Sequence, residues 1–169
     1  MIHYFAYGSN LHPLRLLERV ASAELVGVCR YEAHRLAFDK QGRDGSGKCT
    51  LVNTGSEADV VYGALYTLDP VQKRDLDRFE GSGYCEHQIT LQCHGQEYHC
   101  FTYLAQRSYI IDSLKPYHWY KQLIVLGARY LRLPDPYLAS IESVASIDDP
   151  DVGRGRENEA LIDRIINYR

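Results

Sequence analysis

Two short segments of this chain carry residue types that could do chemistry together. The first, Tyr7-Gly8-Ser9-Asn10-Leu11, lies between a β-type run and the start of a helix. Its glycine permits a tight turn in which successive backbone N–H groups can converge on an oxygen anion. The second is Glu80, which ends a helical stretch and precedes Gly81-Ser82-Gly83. A carboxylate presented there at a cleft could take up and return a proton, which predicts general acid–base chemistry.

The position of Glu80 at a helix C-terminus predicts a raised pKa for its carboxyl group. The negative end of the helix dipole disfavours a second negative charge, so the pKa moves towards the range that suits proton transfer near neutrality. Taken alone, a glutamate in such a place is typical of a solvated surface residue, since glutamate is seldom buried. The predicted chemistry therefore depends on the loop and Glu80 lying together.

Residues 42–49 nearly match a phosphate-binding P-loop but depart from it at the last position. That position needs a Ser or Thr hydroxyl to hold Mg²⁺, and this chain has Cys49 there. The motif also needs a helix after its lysine so that the helix dipole meets the phosphates, whereas residues 49–53 have a strand pattern. We interpret the segment as a glycine-rich loop.

Cysteines and histidines offer no better catalytic or metal site. Cys93-His94 and His99-Cys100 face each other across a predicted turn, but adjacent strand residues point to opposite faces, which leaves too few ligands for zinc. The chain has no Gly-x-Ser-x-Gly nucleophile elbow, and no cysteine lies in a recognisable catalytic signature. The sequence therefore predicts no metal site and no covalent nucleophile.

The elements that must position the two segments alternate between strands and helices. Strand patterns cover residues 2–7, 49–53, 60–68, 89–91 and 98–103, and residues 25–38 fit two strands or one bent strand. Helix signals start at Pro13, at Asp69-Pro70 (to about Phe79), at Pro116 (to about Leu131), at Asp135-Pro136 and near Glu157. With no linker in the chain, we expect one α+β domain over residues 1–169, with a curved or barrel-like mixed sheet.

Composition narrows the function classes. The chain has 169 residues, is 45% apolar and carries a formal net charge of −3, with acidic and basic residues interspersed. No basic face is available for nucleic acid or anionic lipid, no apolar run approaches the roughly 20 residues of a membrane span, and residues 1–5 lack a signal-peptide start. Five cysteines without a secretion signal suit free thiols. We expect a soluble, cytoplasmic protein without disulfides, with no nucleic-acid or membrane partner.

Three segments together resemble a known family, the γ-glutamylcyclotransferases, which share the AIG2-like fold. Residues 4–11, Tyr-Phe-Ala-Tyr-Gly-Ser-Asn-Leu, are similar to the family's signature loop. Residues 76–81 resemble its segment with the catalytic glutamate, and residues 116–121 resemble a third landmark where a tyrosine contacts substrate. One departure follows the glutamate, where residues 81–84 look shorter than in the animal-type enzymes, and this bears on substrate preference.

The resemblance implies a fold, a reaction and a set of site residues. The fold is a mixed β-barrel of five or six strands with flanking helices, and no cofactor is required. The α-amine of a γ-glutamyl substrate attacks its own γ-carbonyl, forming 5-oxoproline and expelling an amino acid or amine, with Glu80 as the catalytic proton carrier. Backbone N–H groups of the loop bind either the γ-carbonyl oxygen or the α-carboxylate. The implied substrate-binding residues are Tyr4, Phe5, Ala6, Tyr7, Gly8, Ser9, Asn10 and Tyr120.

Several alternatives stay open at this point. The expelled group could be an α-amino acid, a lysine ε-amine, the cysteinylglycine of glutathione or a biosynthetic intermediate, and the sequence favours the general γ-glutamyl-amino-acid type. A γ-glutamyl-binding module without turnover, and an interaction protein on the same fold, are the non-enzymatic readings. Packing explains Tyr4 and Phe5 as well as substrate binding does. A homodimer would be unsurprising for the family.

Overall fold

The structure is a computed structural model that describes residues 1–168. Its strands are β1 (Ile2–Ala6), β2 (Glu24–Glu32), β3 (His34–Gln41), β4 (Gly47–Asn53), β5 (Val60–Leu68), β6 (Tyr84–Cys93) and β7 (Gln96–Ala105). Its α-helices are α1 (Pro13–Leu17), α2 (Lys73–Glu80), α3 (His118–Tyr130), α4 (Asp135–Glu142) and α5 (Val152–Ile166), and 3-10 turns lie at Pro70–Gln72 and Arg107–Tyr109. Within residues 1–168, no helix is both long enough and apolar enough to cross a bilayer.

Five strands form a mixed sheet in the order β2-β5-β1-β7-β6. Strand β1 runs antiparallel to β5 and parallel to β7, and the outer pairs are antiparallel. Strands β3 and β4 form a separate two-stranded sheet. The predicted α+β class with a mixed sheet and flanking helices is confirmed, and the residues between 25 and 38 form two strands rather than one.

The central position of β1 explains why its side chains are apolar and aromatic. Phe5 and Ala6 are fully buried, and Tyr4 stacks on Phe101 of the neighbouring strand β7 with ring centroids 5.2 Å apart. In a second, smaller apolar cluster, Leu123 of α3 packs with Leu161 and Ile165 of α5, so the terminal helix is held by apolar contacts. The core thus holds fixed the end of β1 from which the Tyr7–Leu11 loop emerges.

The sheet curls until its two edge strands meet. Cys29 on β2 and Cys93 on β6 are disulfide-bonded, with Cα atoms 5.0 Å apart, although no backbone ladder joins these two strands in the described part of the chain. The prediction of five free thiols is therefore wrong: only Cys49, Cys85 and Cys100 are free. The pairing depends on the curvature of the whole sheet, which strand patterns along the sequence do not reveal.

The β3–β4 hairpin contains a β-bulge next to its turn. Ala37 pairs with Thr50 but Lys40 pairs with Lys48, so β3 holds one residue more than β4 between these pairs. Such an insertion breaks the alternation of inward and outward side chains and re-aims the residue that follows it. At the bulge, a Cβ on Gly47 would lie 2.0 Å from the carbonyl oxygen of Phe38, so only glycine fits there. The bulge brings Lys40 to the buried side of the hairpin.

Candidate functional site

The Tyr7–Leu11 loop connects β1 to α1 by a tight turn. The backbone N–H of Leu11 donates to the carbonyl oxygen of Gly8 at 3.0 Å, and the His12 side chain then caps α1 by accepting from the N–H of Leu14. The N–H groups of Gly8, Ser9 and Asn10 bond to no backbone carbonyl within residues 1–168. These donors are therefore available to an oxygen ligand, as the sequence predicts.

Glu80 is the last residue of α2, and the chain turns sharply after it. Gly81 adopts a φ of 70°, a left-handed conformation that glycine accepts without strain, and its N–H still bonds to Asp77. This turn sends the following residues away and leaves the Glu80 side chain pointing back at the loop. Asn10 Nδ2 donates a hydrogen bond of 2.8 Å to Glu80 Oε1. The two segments singled out in the sequence are thus in direct contact.

Neighbouring side chains fix the orientation of the Asn10 carboxamide. Its Oδ1 accepts from Arg19 at 2.9 Å, while its Nδ2 also lies 3.2 Å from the Tyr4 hydroxyl. Arg19 in turn lies 3.9 Å from Glu80. Because the oxygen of Asn10 is held by a cation, its N–H₂ group must face Glu80, where it stabilises the ionised carboxylate.

Burial is the main influence on the protonation of Glu80. Only 16% of its side chain is exposed. Desolvation raises the pKa of Glu80 above its ordinary value, against the lowering effects of Arg19, the Asn10 hydrogen bond and Lys40. The predicted direction agrees with this shift, but its physical cause is burial rather than the helix dipole that the sequence suggested. A carboxylate with a raised pKa is a better proton acceptor.

A small recess lies between Glu80 and the loop. Its volume is about 30 Å³, room for a group about the size of a water molecule. Half of its lining residues are tyrosines: Tyr4, Tyr7, Tyr84, Tyr103 and Tyr120. Several of their hydroxyls are held by backbone groups, since Tyr84 donates to the carbonyl of Cys49 and Tyr120 accepts from the N–H of Cys49 at 3.1 Å. The recess is therefore rigid and polar at its edges.

A larger cavity of about 390 Å³ shares Ser9, Glu80, Tyr84 and Tyr120 with the recess. Six cationic residues line it: Arg15, Arg19, Lys40, Arg43, Lys48 and Arg154. Glu80 and Asp44 are the carboxylates in the same lining. The cavity consequently favours an anionic ligand, although the chain as a whole carries a formal net charge of −3.

Most of the residues predicted to bind substrate surround the recess. Tyr4, Tyr7, Gly8, Ser9, Asn10 and Tyr120 all line it together with Glu80. Phe5 and Ala6 line neither the recess nor the larger cavity, because both are fully buried in the core. For these two residues the structure supports packing as their role.

Sequence reasoning missed the cations and two of the tyrosines. Arg15 lies on α1 and Arg19 two residues beyond the end of α1, and their spacing of four residues was the local signal that could have placed them on one side. Tyr84 and Tyr103 come from the β6–β7 hairpin, and Lys40 from the bulged hairpin, and only the tertiary structure brings them to Glu80. The one available signal for the aromatic wall was the count of 14 tyrosines.

The segment that resembles a P-loop has a different role. Lys48 Nζ lies 2.7 Å from Asp44, and the residues after Lys48 continue strand β4 rather than forming a helix, as predicted. Cys93, one of the considered zinc ligands, is bonded to Cys29. Among residues 1–168, no group of three or more His, Cys, Asp or Glu side chains is arranged to hold a metal ion.

Comparisons with known proteins agree with these observations. Residues 60–141 match the AIG2-like family. The chain is 31% identical to a bovine (Bos taurus) γ-glutamylcyclotransferase over 96% of this chain and 86% of that protein. It is 30% identical to the human (Homo sapiens) γ-glutamylcyclotransferase with the same coverage.

A solved structure of a γ-glutamyl cyclotransferase superimposes on this fold with a TM-score of 0.82. The two chains are 28% identical, and the match covers 96% of this chain and 98% of the other. The match therefore covers nearly the whole of both chains.

Proposed function

Because this chain belongs to the γ-glutamylcyclotransferase family, we propose that it converts γ-glutamyl-amino acids to 5-oxoproline and a free amino acid. The observation that carries the proposal is the contact between Asn10 and Glu80, which joins a proton acceptor to a loop of free N–H donors at the edge of a cationic cavity. A γ-glutamyl-amino acid is an anion, and it suits a cavity lined mainly by cations.

In the proposed mechanism Glu80 carries the proton. The α-amine attacks the γ-carbonyl carbon of the same molecule, so a new C–N bond closes a five-membered ring. Glu80 accepts the proton that the attacking nitrogen loses and donates it to the nitrogen that departs, and the original amide bond breaks. The raised pKa of Glu80 favours the first of these transfers.

Cyclisation also depends on holding the substrate in a folded conformation. Since the nucleophile and the electrophile belong to one molecule, correct orientation supplies a large share of the rate enhancement. The N–H groups of Gly8, Ser9 and Asn10, which bond to no backbone carbonyl within residues 1–168, would stabilise negative charge on a carbonyl oxygen in the recess. Tyr120 limits the space opposite the loop, where its hydroxyl would lie 3.7 Å from a Cβ on Gly8.

The proposal is tested by the Glu80→Gln variant assayed for 5-oxoproline release from γ-glutamyl-alanine. Glutamine keeps the size and can still accept the Asn10 hydrogen bond but cannot carry a proton, so we expect the rate to fall by about 10²–10⁴-fold with an unchanged circular dichroism spectrum. Glu142→Gln is the matched control, because Glu142 pairs with Arg129 on the helical side and lines neither cavity. A rate unaffected by Glu80→Gln would refute the assigned mechanism.

A further inference from the structure

The larger cavity contains more positive charge than its own residues neutralise. Three of its cations have clear partners: Arg19 lies beside Glu80 and Asn10, Lys48 beside Asp44, and Arg154 beside Asp149. Three cations of the lining, Arg15, Lys40 and Arg43, are left without such a partner among residues 1–168, and they indicate where a ligand anion would be most stabilised.

Lys40 is the most buried of the unpaired cations. The residue is 3% exposed and forms no ion pair with any of residues 1–168. Its ammonium group donates one hydrogen bond, to the carbonyl oxygen of Ser82 at 3.2 Å, and lies 4.4 Å from the centre of the Tyr84 ring. An ammonium group has three N–H donors, so this arrangement leaves donors unused in a cavity wall.

Burying a lysine ammonium group costs free energy unless an anion lies nearby. Desolvation lowers the pKa of Lys40, and Glu80 opposes that change from across the cavity. The β-bulge in β3 and the glycine at position 47 are the features that bring the residue to this side of the hairpin. A bulge next to a site commonly serves to aim a side chain, and here it aims a cation at the ligand space.

Arg15 is the second cation without a carboxylate partner. Its Nε is buried and has no hydrogen-bond partner within residues 1–168. Arg15 lies on α1, directly after the loop, whereas Lys40 comes from the β3–β4 hairpin. A γ-glutamyl-amino acid carries two carboxylates, one on the glutamyl α-carbon and one on the departing amino acid. Both cations act electrostatically on Glu80. Arg15 alone belongs to the helix that follows the loop, so the glutamyl carboxylate, whose α-amine attacks beside the loop and Glu80, is assigned to Arg15.

We infer that Lys40 is a specificity-determining residue that binds the carboxylate of the departing amino acid and so selects γ-glutamyl-amino acids over γ-glutamylamines. This inference rests on the proposed function and adds to it the chemical class of the leaving group. In this assignment Lys40 does not contact the reacting atoms, because a γ-glutamylamine presents the same reacting atoms without the second carboxylate.

The test compares two substrates that differ only in that carboxylate, γ-glutamyl-alanine and γ-glutamyl-ethylamine. We expect Lys40→Met to lower the ratio of their kcat/KM values by about 10- to 100-fold, the effect of one hydrogen-bonded ion pair. Both substrates depend on Glu80 in the same way, so any effect of Lys40 on the pKa of Glu80 cancels in the ratio. Residual turnover of γ-glutamyl-ethylamine reports whether the variant is folded. Lys40→Arg should retain most of the selectivity. Lys115→Met removes an exposed lysine outside the cavity lining and should leave the ratio unchanged.

Two results would overturn the role of Lys40. The first is a result from the wild type alone: equal kcat/KM values for γ-glutamyl-alanine and γ-glutamyl-ethylamine. The other is a Lys40→Met variant that keeps the wild-type ratio.

Failure of the cyclotransferase proposal itself is distinguished by a binding measurement. If the wild type forms no 5-oxoproline, calorimetry can still test whether Lys40 binds the second carboxylate. The ligands are glutaryl-alanine and glutaryl-ethylamine, which lack the α-amine and therefore cannot cyclise. We expect the wild type to bind glutaryl-alanine about tenfold more tightly and Lys40→Met to lose that preference. Equal binding of the two ligands by the wild type would overturn the inference.

Discussion

Asn10 Nδ2 and Glu80 Oε1 are 2.8 Å apart although 70 residues separate them in the chain. The contact joins the N-terminal loop to the end of α2, and Arg19 holds the far side of the same carboxamide. The protonation of Glu80 is therefore influenced by Asn10 of the loop and by Arg19, just beyond α1, and this influence can be measured.

The first prediction concerns the pH dependence of the Asn10→Ala variant. The hydrogen bond from Asn10 lowers the pKa of Glu80, so its removal raises that pKa further. Because the proton acceptor must be ionised, the acidic limb of the kcat/KM profile should move to higher pH. Asn53→Ala, which removes an exposed turn contact, should leave the limb in place. A limb that stays unchanged or moves to lower pH in Asn10→Ala would contradict the assignment.

The second prediction concerns the stability of Glu80→Gln as a function of pH. Burial raises the folded-state pKa of Glu80, so its protonated form stabilises the fold below the ordinary glutamate pKa. That stabilisation is lost as pH rises through the folded-state pKa. Glutamine resembles the protonated form at every pH, so the Tm of Glu80→Gln minus that of the wild type should increase from acidic to neutral pH. Glu142→Gln should give a flat difference, and a flat or falling difference for Glu80→Gln would oppose this account.

The sequence predicted the reacting part of the site better than the binding part. A turn motif and a capped helix have local signals, so the Tyr7–Leu11 loop and Glu80 could both be identified. Lys40 lies beside a glycine-rich segment whose composition predicts a loop. Its inward position depends on a β-bulge, which the pattern of apolar and polar residues along the sequence does not reveal. Local signals also do not fix every side-chain partner: Gln72, three residues after Asp69, accepts from the distant N–H of Ser22.

Fold class was predictable from the order of strands and helices, whereas the meeting of distant strands was not. The helix at Asp69-Pro70 begins as predicted, with Asp69 accepting from the N–H of Val71, although its first turn is a 3-10 turn. The approach of β2 to β6 depends on the accumulated twist of five strands. Cys29 and Cys93 could not be paired on local evidence for the same reason.

The third prediction concerns the disulfide between Cys29 and Cys93. In the denatured protein without reductant, a thiol reagent should detect Cys49, Cys85 and Cys100 alone, and reduction should expose all five cysteines. The bridge closes a loop over a sequence separation of 64, so its loss in Cys29→Ala should cost about 4 kcal/mol of unfolding free energy under oxidising conditions. Cys100→Ala provides the control that removes a buried thiol without a bridge. Five reactive thiols before reduction would exclude the bond.

The fourth prediction compares two glycine substitutions. A Cβ on Gly47 would lie 2.0 Å from the Phe38 carbonyl oxygen, so Gly47→Ala must displace the bulged strand and should lower the unfolding free energy by about 1–3 kcal/mol or more. The displacement also moves Lys40, so the selectivity for γ-glutamyl-alanine over γ-glutamyl-ethylamine should fall in any folded fraction. Gly155 lies in α5 with no atom within 4 Å of an added Cβ, and Gly155→Ala should stabilise the protein by about 0.5–1 kcal/mol. Chemical denaturation of both variants measures the contrast, and equal effects would show that the bulge tolerates a side chain.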